Sequence, residues 1–303
     1  MKANFPVEYM TAVLTAESGN METITDVIHE CERMSVHVLP PDVNESSPGF
    51  SIVKGDDGLP AHIRFGLSAI KGFGEGIAQT ILVERERGGA FTSMSDFLRR
   101  VADRGINKKS MEALTMAGAF DSLEERGTLL ANMEKMLEFN KAEMQKKESA
   151  QDDLFAIMGG FANDLILEPA PDATKAQKLA WEKELIGIYI NGHPVDDYEA
   201  QLRTYPSIGR ILREWREDQE CKTAGMIETI RPLLTKKGDK MAFIKLVNRK
   251  DTIELVMFPK LFETHGTLLV PGSVIAVKGK VSVRNDEKSI ILDAIKSFVP
   301  SVL

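Results

Sequence analysis

The run Leu67-Ser68-Ala69-Ile70-Lys71-Gly72-Phe73-Gly74-Glu75-Gly76-Ile77-Ala78-Gln79-Thr80-Ile81 has the residue types and spacing to hold a phosphate. It reads as a short helix, a Gly-apolar-Gly hairpin and a second helix, a helix-hairpin-helix. Gly72 and Gly74 permit the tight turn and a close backbone approach. The amides opening the second helix form an anion site, and Lys71 adds a point charge. Ile70, Phe73, Ile77, Ala78 and Ile81 pack the two helices together. Such contacts go to the duplex backbone and read no sequence. Lys71, Gly72, Phe73, Gly74 and Gly76 are therefore the candidate duplex-binding residues. The same pattern also builds a packing unit that touches no DNA, and Glu75 opposes a phosphate. A second, degenerate copy is expected at residues 111–120, with Ala117-Gly118-Ala119 as its turn.

Two other groups of residues carry binding chemistry. Gln151, Leu154 and Phe155, in the acidic stretch Gln-Asp-Asp-Leu-Phe, have the form of a docking peptide. An apolar pair would enter a preformed pocket while the glutamine hydrogen-bonds; the alternative is a linker that folds back on its own core. Near the C-terminus, Lys236, Lys237 and Lys240 fall in one hairpin loop, Lys245 and Arg249 follow it, and Arg284 and Lys288 bracket a second hairpin. Phe243 and Phe258 are either base-stacking platforms or core.

Catalytic patterns are missing. The sequence has no phosphate-binding Gly-x-x-x-x-Gly-Lys-Ser/Thr loop and no HExxH. Asp56-Asp57, Asp152-Asp153 and Asp196-Asp197 read as solvated turns rather than parts of a two-metal site. His193, before Pro194, reads as a cap or packing residue. No cofactor or metal is expected in this chain. Cys31 and Cys221 make no disulfide framework or CxxC pair. With no signal-peptide pattern and no apolar run long enough to span a bilayer, a cytoplasmic location without a membrane partner is expected.

These groups need elements to position them. At 303 residues the chain has room for two to three domains. Residues 5–38 have helical apolar spacing, ended by Pro40-Pro41. Residues 50–53 and 62–65 read as a strand pair, and residues 66–140 as helices broken by glycines. Residues 141–176 read as a linker with one apolar island, and residues 176–191 as a helix stopped by Gly192 and Pro194. From residue 222 the period becomes two, with strands near 222–231, 240–248, 251–258, 273–284 and 288–297 and a short helix near 259–265. Five strands with a helix between the third and fourth is the order of an OB-fold barrel. The fold class is thus α+β and multi-domain: mostly helical N-terminal two-thirds, then a five-stranded OB barrel. Charge divides similarly. Residues 222–303 carry 14 Lys/Arg and 8 Asp/Glu, a balance of +6 in a chain of net −7. A polyanion contact is best placed at the basic end.

Taken together, the segments resemble the C-terminal part of the alpha subunit of bacterial DNA polymerase III. The resemblance rests on Lys2-Ala3-Asn4-Phe5-Pro6-Val7-Glu8-Tyr9-Met10, Leu39-Pro40-Pro41-Asp42-Val43-Asn44, Ile63-Arg64-Phe65-Gly66-Leu67 and Lys71-Gly72-Phe73-Gly74. It continues through Ala117-Gly118-Ala119-Phe120-Asp121, Glu182-Lys183-Glu184-Leu185, Gly192-His193-Pro194, Thr235-Lys236-Lys237-Gly238 and Met241-Ala242-Phe243. It implies that residues 1–60 end the polymerase fingers, 61–140 grip duplex DNA through tandem helix-hairpin-helix motifs, and 141–176 link them onward. Gln151, Leu154 and Phe155 then bind the sliding clamp, 177–221 are a helical connector, and 222–303 handle single-stranded template.

The implied partners are primer-template DNA, single-stranded template DNA, the sliding clamp and other subunits of the polymerase III holoenzyme. The family's nucleotidyltransferase aspartates, and the Mg2+ they hold, belong to a palm outside these residues, so the chain alone is expected not to polymerise DNA. The resemblance leads to the expectation that the domain the family often carries after the barrel is absent here or reduced to residues 298–303. Alternative readings are the paralogous error-prone alpha subunit of damage tolerance, a non-catalytic DNA-binding adaptor, and an OB-containing RNA binder such as a tRNA-anticodon module.

Overall fold

The long helical stretch at the N-terminus is interrupted where the sequence offers a cap. In the computed structural model, which describes residues 1–55, 61–103, 105–149, 164–235, 237–249, 251–285 and 287–298, it forms α1 (Pro6–Ala16) and α2 (Met21–Arg33). Asn20 separates them: its side chain accepts the Thr23 amide at 3.3 Å and starts α2. Past α2 the chain is extended rather than helical, and β1 (Val38–Leu39) pairs parallel with β3 (His62–Arg64). β2 (Ser51–Val53) pairs antiparallel with β3, as the strand reading expects.

The helices that follow are α3 (Glu75–Gly88), α4 (Met94–Arg100), α5 (Lys108–Ala117), α6 (Arg126–Ala131), α7 (Met133–Ser149) and α8 (Lys175–Leu185). Their caps are written in the sequence. Ser93 accepts the Asp96 amide at 3.1 Å, Asn107 and Ser110 form a capping box, and so do Thr174 and Gln177. These elements share one apolar core in which Phe65, Phe97 and Phe120 are nearly or fully buried. The edge-on contacts Phe91–Phe97 at 5.1 Å and Phe97–Phe120 at 4.9 Å run through it.

Two expectations are corrected here. The segment read as linker from residue 141 is helical as far as Ser149, because α7 carries Asn140 into the core, where its amide donates to Leu98 and Val101 carbonyls. The helix expected over 176–191 stops at Leu185. Glu182 turns the chain back: its buried carboxylate accepts the amides of Ile190 at 3.3 Å and Asn191 at 3.2 Å.

The chain divides into two compact units, Met1–Asn191 and Gly192–Leu303. The second opens with a 3-10 turn (Pro194–Tyr198), α9 (Glu199–Leu202) and α10 (Ile208–Glu214). Its barrel comprises β4 (Glu220–Leu234), β5 (Lys240–Val247), β6 (Thr252–Met257), α11 (Pro259–His265), β7 (Val274–Arg284) and β8 (Glu287–Ser297). The closed strand order β4-β5-β6-β8-β7, with α11 between the third and fourth strands, is the OB arrangement that the alternation predicts. Ala242, Ile244 and Leu246 of β5 and Ile253, Leu255 and Met257 of β6 point inward, leaving the intervening residues outside.

Candidate nucleic-acid interfaces

In the first unit, a 3-10 turn (Leu67–Ala69) leads into the hairpin, and α3 begins directly after Gly74. Gly72 has φ +81, a conformation that excludes a side chain without strain. Lys71 donates its amide to Leu185 O at 2.9 Å, and Phe73 donates to Ile70 O at 3.0 Å. Ile70, Phe73, Ala78 and Ile81 are buried and Ile77 is half-buried, so the predicted packing face is present. Phe73 is corrected as a side-chain ligand contact: the residue is 7% exposed and belongs to the core. Lys71, Gly72, Gly74 and Gly76 are exposed, and no atom lies within 4 Å of a Cβ built on Gly74 or Gly76. The first amides of α3 have no intrahelical partner and carry the positive end of its dipole. Glu75, also exposed, sits in that field.

A residue that the local sequence did not suggest completes this surface. Lys109, at the start of α5, lies over the hairpin: a Cβ on Gly72 would come within 3.1 Å of its Cε. Lys71 and Lys109 therefore supply cations beside the same glycine turn. The expected second hairpin at residues 111–120 is different. Gly118 has φ +86 and closes α5, but the guanidinium of buried Arg126 fills the space beside it, where a Cβ on Gly118 would collide with Nη2. Unlike Gly74 and Gly76, this glycine has a side chain packed against it, and α6 begins only at Arg126. The turn is a packing corner.

In the second unit, register places an outward row across the barrel: Arg231 opposite Phe243, Phe243 opposite Val256, and Val256 opposite Ile291. The neighbouring row runs through Thr229, Lys245, Glu254 and Ser289. Leu233 is 44% exposed and Phe258 45%, so Phe258 is no core residue, and Phe243 is half-buried on the outer face. The β4–β5 loop lies past Lys240 at one end of this face, and the β7–β8 turn past Ser289 at the other. Lys240 and Lys245 are five residues apart, about 17 Å along a strand. Thr235 Oγ1 accepts the Lys237 and Asp239 amides, ordering the loop that presents Lys237. Lys237, Lys240 and Arg284 are exposed, and no ion pair among the described residues involves them.

The remaining predicted residues have other engagements. Lys245 lies 2.7 Å from Glu228, and Arg249 lies 2.6 Å from Asp196. Lys288 is turned away from solvent: its ammonium donates to Leu212 O at 2.6 Å and Trp215 O at 2.8 Å, capping the carbonyl end of α10. It is thus an anchor for that helix, contrary to a strand-binding role. His193 caps the following 3-10 turn, as expected, accepting the Val195 amide at 3.2 Å. Lys236, Gln151, Leu154, Phe155 and the Asp56-Asp57 and Asp152-Asp153 pairs lie outside the described residues. Among the described residues no cluster of three or more His, Cys, Asp or Glu could hold a metal, and no helix is long and apolar enough to cross a membrane.

Comparison with known proteins agrees with this division. The helix-hairpin-helix motif family matches residues 35–129, and the OB-fold nucleic acid binding domain family matches residues 222–297. DNA polymerase III subunit alpha of Borreliella burgdorferi is 31% identical over 302 residues, covering 97% of this chain and 26% of the relative. The protein of that name from Pseudomonas aeruginosa is 35% identical over 93% of this chain and 25% of its own length. That from Aquifex aeolicus is 35% identical over 92% of this chain and 22% of its own length. The chain spans about a quarter of the length of these curated relatives.

Proposed function

From a chain that is homologous along nearly its whole length to the C-terminal part of DNA polymerase III subunit alpha, we propose a DNA-holding role in replication. The first unit takes the duplex and the barrel takes single-stranded template. The observation that carries this reading is the barrel's outward face, which presents Phe243, Leu233 and Phe258, with exposed Lys237 and Lys240 in and beside the loop at one end and Arg284 by the turn at the other. Backbone charge with aromatic stacking is how single strands are bound without sequence readout. In the first unit, Lys71, Lys109 and the open start of α3 favour a duplex phosphate. Gln151, Leu154 and Phe155 are proposed to dock on the sliding clamp; their sequence pattern and the identity of the relatives support this.

Titrating the whole chain with a labelled single strand and with a labelled duplex tests the division. Replacing Lys237 and Lys240 by Glu is expected to weaken the single strand and spare the duplex. Gly74→Asp is expected to do the reverse. If each variant binds both probes as the parent does, the two surfaces are not DNA interfaces. For the clamp peptide, changing Leu154 and Phe155 to Ala is expected to lower clamp affinity roughly thirtyfold, about 2 kcal/mol. Unchanged calorimetric binding would refute that assignment.

A further inference from the structure

We infer that Arg231 is a movable latch on the single-strand face, covering Phe243 in the free barrel and passing to a phosphate when a base takes the ring. The inference rests on the single-strand reading above and adds a residue and a regulatory contact to it. Arg231 is exposed on β4, directly opposite Phe243 in register, and its guanidinium carbon lies 5.2 Å from the ring centroid. That places a cation over the aromatic face that a base would use. From the far side of β5, Glu254 holds the same guanidinium, with Nη2 3.8 Å from its carboxylate oxygen. This is the longest ion pair described in the barrel unit; Lys245–Glu228 and Lys278–Glu220 are closer at 2.7 and 3.3 Å. Both partners are well exposed, so the pair is weak and readily exchanged.

The exchange follows from charge and geometry. A base stacking on Phe243 must displace the guanidinium, and the phosphate attached to that base offers a planar-fork partner better suited to Arg than one loosely held carboxylate oxygen. Leu233, also outward on β4, and Phe258, after β6, are exposed on the loop side of this row and extend the apolar surface along which the next base would lie. Glu254 opposes this step twice, by holding Arg231 and by repelling the incoming phosphate. Two neighbouring lysines are already engaged: Lys245 is paired with Glu228, and Lys288 is bound to two carbonyl oxygens.

A double-mutant cycle separates a latch from simple charge. The whole chain is titrated with a labelled single-stranded oligonucleotide as parent, Glu254→Gln, Arg231→Ala and the double variant, with Glu263→Gln as an equal charge change elsewhere on the barrel. Glu254→Gln is expected to tighten binding about threefold, the scale of one exposed ion pair, and beyond any effect of Glu263→Gln. Arg231→Ala is expected to weaken binding and reduce the salt slope by about one ion. In the Arg231→Ala background the Glu254→Gln gain is expected to shrink to that of Glu263→Gln. An equal gain in both backgrounds, or none in the parent background, overturns the latch while leaving the single-strand reading standing. No binding by the parent at low salt overturns both.

Discussion

Arg126 and Glu182 meet inside the first unit with Nη2 3.3 Å from Oε1, the two side chains being 2% and 1% exposed. Neither charge is isolated. Arg126 also forms a two-pronged contact with Asp121 at 2.8 and 2.7 Å and donates to Met116 O at 3.0 Å. Burial works against the guanidinium charge, but Asp121 and Glu182 hold its pKa above the usual value. Through Glu182 the network reaches Ile190 and Asn191, so it fixes the turn after α5 and the chain return after α8 together.

Removing one partner of a buried pair leaves the other charge without compensation. Arg126→Met is therefore expected to destabilise the first unit by about 3–5 kcal/mol. Urea unfolding followed at Trp181, in α8 beside Glu182, reports on that unit when Trp215 is replaced by Phe. A midpoint equal to that of the parent would show that the pair contributes little.

Glu125 gives the same unit a dependence on acid. Its carboxylate accepts the amides of Ala173 at 3.0 Å and Thr128 at 3.3 Å, and that of Gly127, and lies 2.9 Å from Lys178. Burial pushes its pKa up, but Lys178 and the three amides outweigh it and leave the group below the usual carboxylate value. Its stabilising effect is thus fully present above the unfolded pKa of about 4.3 and is lost as pH falls through the lower folded value. Glu125→Gln is expected to reduce the melting temperature at pH 7, with the gap between parent and variant narrowing as the pH falls into the acid range. A gap that stays constant across this range would exclude the ionised carboxylate as the cause.

Cys31 and Cys221 are both buried. Burial pushes each thiol up to about 11, with nearby Glu30 and Glu32 adding to the shift at Cys31 and Asp293 at Cys221. Thiolate is the reactive form, so the folded protein is expected to resist iodoacetamide at pH 8 and to label at both positions in denaturant. Rapid labelling of either thiol in the folded state, measured by intact mass, would contradict this.

The barrel was legible because its evidence is local and repeats: alternation gave the strands, and the break between strands three and four gave α11. The hairpin at Gly72 was legible for a similar reason, since its apolar residues recur at helical spacing on both sides of one turn. What escaped depends on contacts between distant residues. Lys109 is 37 positions beyond Gly72 and reaches it only because α5 packs beside the hairpin. Arg231 joins Phe243 only once the β4–β5 register is fixed. Lys288 looked like free charge because nothing in the sequence reveals that the carbonyl end of α10 lies above it. The turn at Gly118 differs for the converse reason: a local pattern was present, but the guanidinium of Arg126, eight positions on, packs against the glycine.

The start of α3 allows a test of the duplex reading in which one substitution should strengthen binding. Glu75 is exposed in the first turn, where its charge is favourable to the helix dipole but competes for the position of a bound phosphate. Lys71 and Lys109 stand beside the same turn. Glu75→Gln removes the competing charge at the edge of the site, with a direct dipole effect of about 0.3–1 kcal/mol on helix stability. It is therefore expected to tighten duplex binding about threefold at low salt while slightly lowering the melting temperature. Lys109→Ala and Lys71→Ala are each expected to weaken binding and reduce the salt slope by about one ion. The opposed signs matter, because general damage to the fold would weaken binding in all three variants. If Glu75→Gln binds duplex no more tightly than the parent and Lys109→Ala leaves the salt slope unchanged, the hairpin packs helices and holds no phosphate.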